Sequence, residues 1–281
     1  MKIVRSLFAV LIVVTVLFPA SLIAAESVVQ FRQRISTSDE EFASDVAEEV
    51  RFGREVAARV IARYGLYDDP TLMKYVNLVG HVISQTTNRP ELNFHFAVLN
   101  TDEINAYAAP GGYVFVTRGA LLNMRDESEL AGVLAHEIGH IVEKHVVREL
   151  KIQGTEESAA MGLATLIGGS SQSARTAFAQ AVDKAMDMLF KDGYKREDET
   201  QADKDAVIFC ALSGDEPMGL VKYFWRLNAL NGKNTKVLDT THPSYEDRIA
   251  WLKETIIQEG LDSGAYKNHK ERFAANVKQL K

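Results

Sequence analysis

The sequence predicts a mainly helical domain with a small β-sheet, the α+β class. In several segments apolar residues recur at intervals of three and four, the pattern of a helix with one buried face. Two short segments alternate apolar and polar residues or are rich in β-branched and aromatic residues, which is typical of strands. The 281 residues show no internal repeat and are enough to bury one large core.

The predicted elements run in the order helix, helix, strand, strand and then further helices. Helices are expected over residues 39–64, 71–86, 130–150, 198–212, 217–230 and 244–259, and strands over residues 93–99 and 113–117. Pro110, Gly111 and Gly112 form a turn before the second strand, and the glycine- and serine-rich residues 168–171 form a loop. The apolar residues of 154–173 can belong either to the core or to a lid over a cleft.

The third predicted helix contains the sequence His-Glu-Ile-Gly-His. Asp126 can cap its N-terminus, and Glu129 completes a capping-box pattern. His136 and His140 are four residues apart, so both imidazoles lie on one helix face and can reach one ion, with Glu137 beside them. Two imidazoles and a nearby carboxylate are typical of the catalytic zinc site of a peptidase. The alternative is a pair of solvated helix histidines.

A catalytic zinc site needs a third protein ligand. In the metzincin arrangement the third ligand is a histidine six residues after the second one. In this chain that position is Val146, and His145 lies one residue too early and off the ligand face of a continuous helix. The other possibility is Glu199, which shares a helix face with Asp203 four residues later. Asp203 would then accept a hydrogen bond from a ligand imidazole. Spacing alone does not separate this from a charged, solvated helix start.

Four motifs in fixed order resemble the gluzincin metallopeptidase family of HtpX, the CAAX prenyl endopeptidase and BepA. They are the H-E-x-x-H at 136–140, the E-x-x-A-D at 199–203, the N-A-Y-A-A-P-G-G at 105–112 and the H-P-x-x-x-x-R-I at 242–249. The resemblance covers residues from about 41 to about 252, and Lys195 stands where the family often has Ser. It implies a zincin-like catalytic domain with one Zn²⁺ per chain, bound by His136, His140 and Glu199, with Glu137 as the catalytic base.

Two residues of the last motif are candidates for stabilising the oxyanion of the tetrahedral intermediate. These are His242 and Arg248. His242 precedes Pro243 and can instead be a helix-entry residue, or it can occupy the open metal position when no substrate is bound. Arg248 can instead form a structural ion pair with a carboxylate of the ligand helix.

The small-residue segment before the Pro-Gly-Gly turn is a candidate substrate-binding strand. An exposed strand edge can bind an extended peptide through main-chain hydrogen bonds, with little dependence on the peptide's sequence. The resemblance implies that the substrate lies here, beside the zinc. The alternative is an ordinary hairpin arm. The residues concerned are Asn105, Ala106, Tyr107, Ala108 and Ala109.

The N-terminal residues have the composition of a secretory signal peptide. Lys2 and Arg5 precede an apolar stretch over residues 8–18, and Ala24 and Ala25 provide a cleavage point. We therefore expect a signal peptide at residues 1–25 and one catalytic domain at residues 26–281. The product would be exported to the periplasm or secreted and would have no stable membrane span. An uncleaved, membrane-associated anchor is the alternative.

Charge and cysteine content restrict the class of partner. The net charge of −6 disfavours binding to the phosphates of nucleic acid. Cys210 is the only cysteine, so an intrachain disulfide is impossible, and its apolar neighbours indicate a buried thiol.

Together these features predict an exported zinc-dependent endopeptidase. The resemblance implies a role in envelope quality control, in which the enzyme degrades unfolded or misfolded exported proteins. An alternative from another class is a catalytically idle chaperone or adaptor that keeps the zinc fold. The presence of Glu137 argues against it, because a structural zinc site needs no general base. A third alternative, a structural zinc module, is disfavoured because such a site normally closes the fourth coordination position with Cys or His.

Overall fold

The computed structural model describes residues 28–152, 172–231, 243–262 and 265–280. The chain divides into two compact units, residues 1–40 and residues 41–281, and the candidate site lies within the second. The predicted signal peptide, most of the 154–173 segment and His242 lie outside the described residues. No helix among the described residues is long and apolar enough to cross a membrane.

A three-stranded sheet and ten described α-helices confirm the α+β class. The strands are β1 (His95–Leu99), β2 (Ala106–Ala109) and β3 (Tyr113–Thr117). The helices are α1 (Val28–Tyr64), α2 (Pro70–Ser84), α3 (Arg118–Leu122), α4 (Glu127–Val142), α5 (His145–Leu150), α6 (Gln172–Asp187), α7 (Arg196–Ser213), α8 (Gly219–Asn231), α9 (Tyr245–Gln258) and α10 (Lys270–Val277). A π-helical turn, Met188–Asp192, follows α6.

Both predicted strands form, and the segment between them adds a third. The strand order is β1-β3-β2, with β1 parallel and β2 antiparallel to β3. β2 is therefore an arm of a hairpin and also an edge strand of the sheet.

One hydrogen bond at the start of β2 shows which of its backbone groups face β3. The Thr117 N–H donates to the Asn105 carbonyl oxygen at 3.0 Å. In an antiparallel ladder hydrogen-bonded and non-hydrogen-bonded pairs alternate, so Ala106 and Ala108 belong to non-hydrogen-bonded pairs with β3. Their backbone N–H and C=O groups consequently point to the outer edge. No strand among the described residues pairs with that edge.

Helix α4 lies at the centre of the domain. Every one of its 16 residues is buried, as expected for a helix packed on all sides. It contacts α2, α7, α8 and β2. Asp126 caps it by accepting a hydrogen bond from the Glu129 N–H, as predicted. The Glu129 carboxylate, however, accepts from the Arg125 N–H and pairs with Arg226, so the capping box is not reciprocal.

The prediction of one continuous helix to residue 150 was wrong. α4 ends at Val142, and Lys144 adopts the left-handed conformation with φ 56° before α5 begins at His145. The chain therefore changes direction between the two helices. This break decides the position of His145 in the site.

Several helices differ from the sequence-based prediction. α1 begins at Val28, before the predicted start at residue 39. α3, α6, the π-helical turn and α10 were not predicted, because they are short or have a low mean hydropathy. α7, α8 and α9 agree with the predicted ranges to within two residues.

Candidate metal centre

Three donor side chains from two helices converge at one point. His136 and His140 lie one turn apart on α4, and Glu199 lies in the first turn of α7. The Nε2 atoms of the two histidines are 3.1 Å apart. A Glu199 carboxylate oxygen lies 3.6 Å from each of them, Oε2 from His136 and Oε1 from His140. All three residues are buried.

These spacings fit a tetrahedral ion. Zn²⁺ bonds to imidazole nitrogen and carboxylate oxygen are about 2.0–2.2 Å long, so ligand atoms at tetrahedral angles lie roughly 3.3 Å apart. The observed range of 3.1–3.6 Å brackets that value. The donor set of two imidazoles and one carboxylate leaves the fourth position of a tetrahedron open, which is the pattern of catalytic rather than structural zinc sites.

Asp203 fixes the orientation of His136. Its Oδ1 atom lies 3.0 Å from His136 Nδ1, which leaves Nε2 directed at the donor cluster. Arg248 on α9 donates to both Asp203 oxygens, from Nε at 2.9 Å and from Nη2 at 2.6 Å. Burial alone would raise the pKa of Asp203, but the positive charge and hydrogen bonds of Arg248 hold that pKa below its usual range. Asp203 is thus an ionised acceptor.

A different set of groups surrounds His140. Its Nδ1 lies 2.8 Å from Nδ1 of His145, and the ring of Tyr194 stacks on it at 3.9 Å between centroids. Burial, with the nearby charge of Arg148, lowers the pKa of His145 to about 4, so that ring is neutral at pH 7. Sequence reasoning missed His145, because it assumed an unbroken helix.

The charge of the cluster favours a divalent cation. Three carboxylates (Glu137, Glu199, Asp203) and one guanidinium (Arg248) lie together in the interior, all at most 6% exposed. Burial, together with the negative charge of Glu199, raises the pKa of Glu137 to about 8. When all four groups are ionised, the cluster has two negative charges in excess. A divalent ion would neutralise them, which offsets the large cost of burying net charge.

An apolar cavity opens beside Glu137 and His136. The space between its walls is about 450 Å³ when the open mouth is included, and about 50 Å³ of it can hold the centres of water molecules. Asn105 and Ala106, at the start of β2, line it together with Tyr245 and Arg248. Most of its wall is apolar, formed by Val133, Leu220, Tyr223, Phe224 and Leu227.

A further group of possible metal ligands lies at the opposite end of α4. Donor atoms of Glu127, Asp215 and His269 are within 4.8 Å of one another. Arg272, however, donates two hydrogen bonds to the Glu127 carboxylate, and Tyr75 donates a third. The guanidinium already neutralises that carboxylate, so this group is poorly suited to a cation.

The structure brings together most of the residues singled out from the sequence. His136, Glu137, His140, Glu199, Asp203 and Arg248 meet around one point, and β2 begins at the cavity that Glu137 lines. The ion pair expected as the alternative for Arg248 does form, with Asp203. Cys210 is buried as expected, and burial raises the pKa of its thiol.

Comparison with known proteins gives one consistent family. The chain matches peptidase family M48 over residues 70–256. It is 30% identical over 197 residues to a putative beta-barrel assembly-enhancing protease of Vibrio cholerae, which covers 68% of this chain and 40% of that protein. It is 27% identical over 208 residues to the metalloprotease YcaL of Escherichia coli, covering 74% and 76% of the two chains. It is 26% identical over 219 residues to the mitochondrial metalloendopeptidase OMA1 of Schizosaccharomyces pombe, covering 74% and 61%.

The chain spans about two fifths of the length of the beta-barrel assembly-enhancing proteases that it matches. The matched residues 70–256 contain the H-E-x-x-H helix, Glu199 and Arg248. The family predicted from the four sequence motifs is therefore confirmed: this chain belongs to peptidase family M48, whose members are metallopeptidases.

Proposed function

We propose that this protein is a zinc-dependent endopeptidase in which His136, His140 and Glu199 hold the metal. The main support is the convergence of two imidazole nitrogens and a carboxylate at 3.1–3.6 Å, in a buried cluster with excess negative charge. The family membership and the metalloprotease names of the relatives agree with it. The two-nitrogen, one-oxygen donor set with an open position favours zinc among the divalent ions.

The bound ion would lower the pKa of a water toward about 7 and polarise the scissile carbonyl group. Glu137 is the general base in this proposal. Its carboxylate follows a ligand histidine and lines the cavity beside it, so it can accept the proton of the attacking water. It then returns the proton to the leaving amine.

Arg248 and His242 are the proposed donors to the oxyanion of the tetrahedral intermediate. Arg248 lines the same cavity as Glu137, and its guanidinium is held by Asp203 and by the face of Phe224 at 4.2 Å. A fixed guanidinium needs little reorganisation when negative charge develops, which is the property that makes such donors effective. The proposal for His242 rests on the sequence motif alone.

The outer edge of β2 is the proposed substrate-binding strand. The backbone groups of Ala106 and Ala108 point to the outer edge. The Ala106 N–H donates to Asn105 Oδ1 at 2.7 Å, so an extended peptide would pair with the Ala106 carbonyl oxygen and the backbone groups of Ala108. Antiparallel pairing, the slightly more stable arrangement, would direct the C-terminal part of the substrate toward Asn105. The apolar cavity lies at that end of β2. The side chain that follows the scissile bond would therefore enter the cavity, which favours cleavage before an apolar residue.

Glu137→Gln tests the proposal directly. We expect the variant to retain bound zinc and to degrade unfolded casein at least about 10²-fold more slowly, because an amide cannot accept the proton. Glu55→Gln, on an exposed face of α1, is the matched control and should behave like the wild type. Equal degradation by wild type and Glu137→Gln, or a purified wild type without bound metal, would contradict the proposal. The first result would favour the idle chaperone or adaptor.

We further propose that the protein acts in the cell envelope on unfolded or misfolded exported proteins. The support is the signal-like composition of residues 1–25 and the beta-barrel assembly named in several relatives, since β-barrel proteins are typical of bacterial outer membranes. Expression of the full chain in a Gram-negative host, followed by fractionation and intact-mass measurement, tests the location. A periplasmic product that starts near residue 25 is expected. An uncleaved cytoplasmic product would contradict it.

A further inference from the structure

His145 is buried beside the candidate metal centre and has no part in the proposed reaction. It is 2% exposed and begins α5, immediately after the left-handed residue Lys144. The change of direction at Lys144 brings its ring against His140, with the two Nδ1 atoms 2.8 Å apart. A histidine pair at hydrogen-bond distance requires one ring to donate and the other to accept.

The proposed metal ligation determines which ring donates. His140 Nε2 faces the other ligands, so it must present a lone pair to the ion. A neutral imidazole has one N–H, and that of His140 must then be on Nδ1. His145 Nδ1 is therefore the acceptor, and the proton of His145 lies on Nε2. That atom faces the Asp198 carboxylate, with Oδ1 at 3.4 Å, a distance at which the negative charge attracts the N–H without a short hydrogen bond.

The resulting chain of contacts joins the two ligand-bearing helices. Asp198 directly precedes Glu199 in α7, and Arg148 of α5 donates to it at 3.0 Å. The order is thus Asp198, His145, His140 and then the ion. On the other side, Asp203 and Arg248 hold His136 in the same way. Each ligand histidine is therefore oriented through its Nδ1 atom, His136 by the Asp203 carboxylate and His140 by the His145 imidazole.

We propose that His145 is a positioning residue that fixes the ring orientation and tautomer of His140 and thereby raises the affinity of the site for zinc. This inference rests on the proposed function, because it requires His140 to bind a metal. Groups that hydrogen-bond to ligand histidines typically change metal affinity by about 10–100-fold when they are removed.

Three variants test the inference through zinc affinity, measured by competition with a chromophoric chelator. His145→Leu keeps most of the volume but has no acceptor, and we expect it to bind zinc about 10–100-fold more weakly. His145→Asn places an amide oxygen near the position of Nδ1 and should recover most of the affinity. His81→Leu, on the exposed face of α2, is the control and should equal the wild type.

Circular dichroism of the metal-free proteins separates positioning from a purely structural role. A structural role lowers the unfolding midpoint of metal-free His145→Leu and leaves its zinc affinity unchanged once folded, and this result would overturn the inference. Equal weakening by Leu and Asn would also overturn it. The visible spectrum of the Co²⁺ form should change in His145→Leu and not in His145→Asn.

If His145→Leu does not fold, Asp198→Ala provides the second test. This carboxylate is partly exposed, and its removal frees the far end of the His145 ring. Weaker zinc binding supports the inference, and unchanged binding overturns it. This inference alone would be refuted if the wild type binds zinc, Glu137→Gln abolishes turnover, and His145→Leu binds zinc as tightly as the wild type. A wild type that binds no metal would refute the proposed function as well.

Discussion

Breaking the ion pair between Arg248 and Asp203 should be the most destabilising single change in the site. The two side chains are 2% and 1% exposed and share two hydrogen bonds of 2.6 and 2.9 Å. Arg248→Met leaves the Asp203 carboxylate buried without its guanidinium. Hydrogen bonds to charged groups contribute about 1.5–3 kcal/mol each, so two of them predict a loss of roughly 3–6 kcal/mol. Measured losses for half of a buried pair, about 3–5 kcal/mol, agree.

A double variant separates the cost of the unpaired charge from the loss of the side chains. Asp203→Asn combined with Arg248→Met removes both charges and keeps an acceptor for His136 Nδ1. We expect it to recover most of the lost stability. The stability deficit of the single Arg248→Met variant should also shrink as pH is lowered from 7 to 4, because Asp203 then becomes protonated and its buried negative charge is removed.

Urea unfolding followed by circular dichroism, with zinc removed, measures these free energies. Arg196→Met is the control, since Arg196 pairs with Asp247 at 3.3 Å across exposed surfaces of the same two helices. It should lose about 1 kcal/mol or less. A loss below that value for Arg248→Met, or a double variant as unstable as the single one, would refute the reasoning.

Turnover at saturating zinc then tests the oxyanion role of Arg248. If Arg248 is an oxyanion donor, turnover should fall by about 10²–10³-fold even in the double variant.

Three further changes have defined outcomes. Ala108→Pro removes an N–H that points away from β3, so it should impair casein cleavage and leave the unfolding midpoint nearly unchanged; normal cleavage would indicate a plain hairpin arm. Asp205→Asn should stabilise the protein by about 1–3 kcal/mol above pH 6. Burial, with Glu143, raises the pKa of Asp205 to about 6, so wild-type stability falls as pH rises through 4–6. Urea unfolding at pH 4.5 and 7.5 should show a larger loss in the wild type than in Asp205→Asn, which keeps the contribution of Glu137. Val133→Phe fills part of the apolar cavity and should lower kcat/KM for peptides with Leu after the scissile bond more than for those with Ala; equal reductions would contradict the cavity's assignment.

Local sequence patterns predicted the elements that depend on local physics. The spacing of His136 and His140 placed both imidazoles on one face, and the Asp126 cap located the start of α4. Apolar periodicity placed α2, α7, α8 and α9 to within two residues. These features depend on side chains a few positions apart, which the sequence displays directly.

The position of His145 depended on a backbone conformation that the sequence does not mark. Left-handed residues are usually Gly or Asn, whereas position 144 is Lys with φ 56°. No Gly or Pro interrupts the pattern there, so periodicity extended the helix to residue 150. A continuous helix would place His145 off the ligand face, whereas the turn at Lys144 brings its ring into contact with His140. Tertiary packing of Val146, which is 4% exposed, offsets the local cost of the turn.

The position of Glu199 depends on how closely α7 approaches α4, which two small residues determine. A Cβ atom on Gly139 would lie 3.1 Å from Cα of Ala202, closer than ordinary contact. Gly139 lies between the two ligand histidines in α4's last turns, directly before His140, and Ala202 lies between Glu199 and Asp203 in α7. The absent side chain at one position and the methyl group at the other allow the helices to pack at a distance that places Glu199 3.6 Å from both imidazoles. The sequence shows that both residues are small, and glycine's cost of roughly 1 kcal/mol in a helix indicates a packing reason. Which small residue meets which is a property of the folded chain, so the third ligand could be placed only by resemblance until the two helices were seen together.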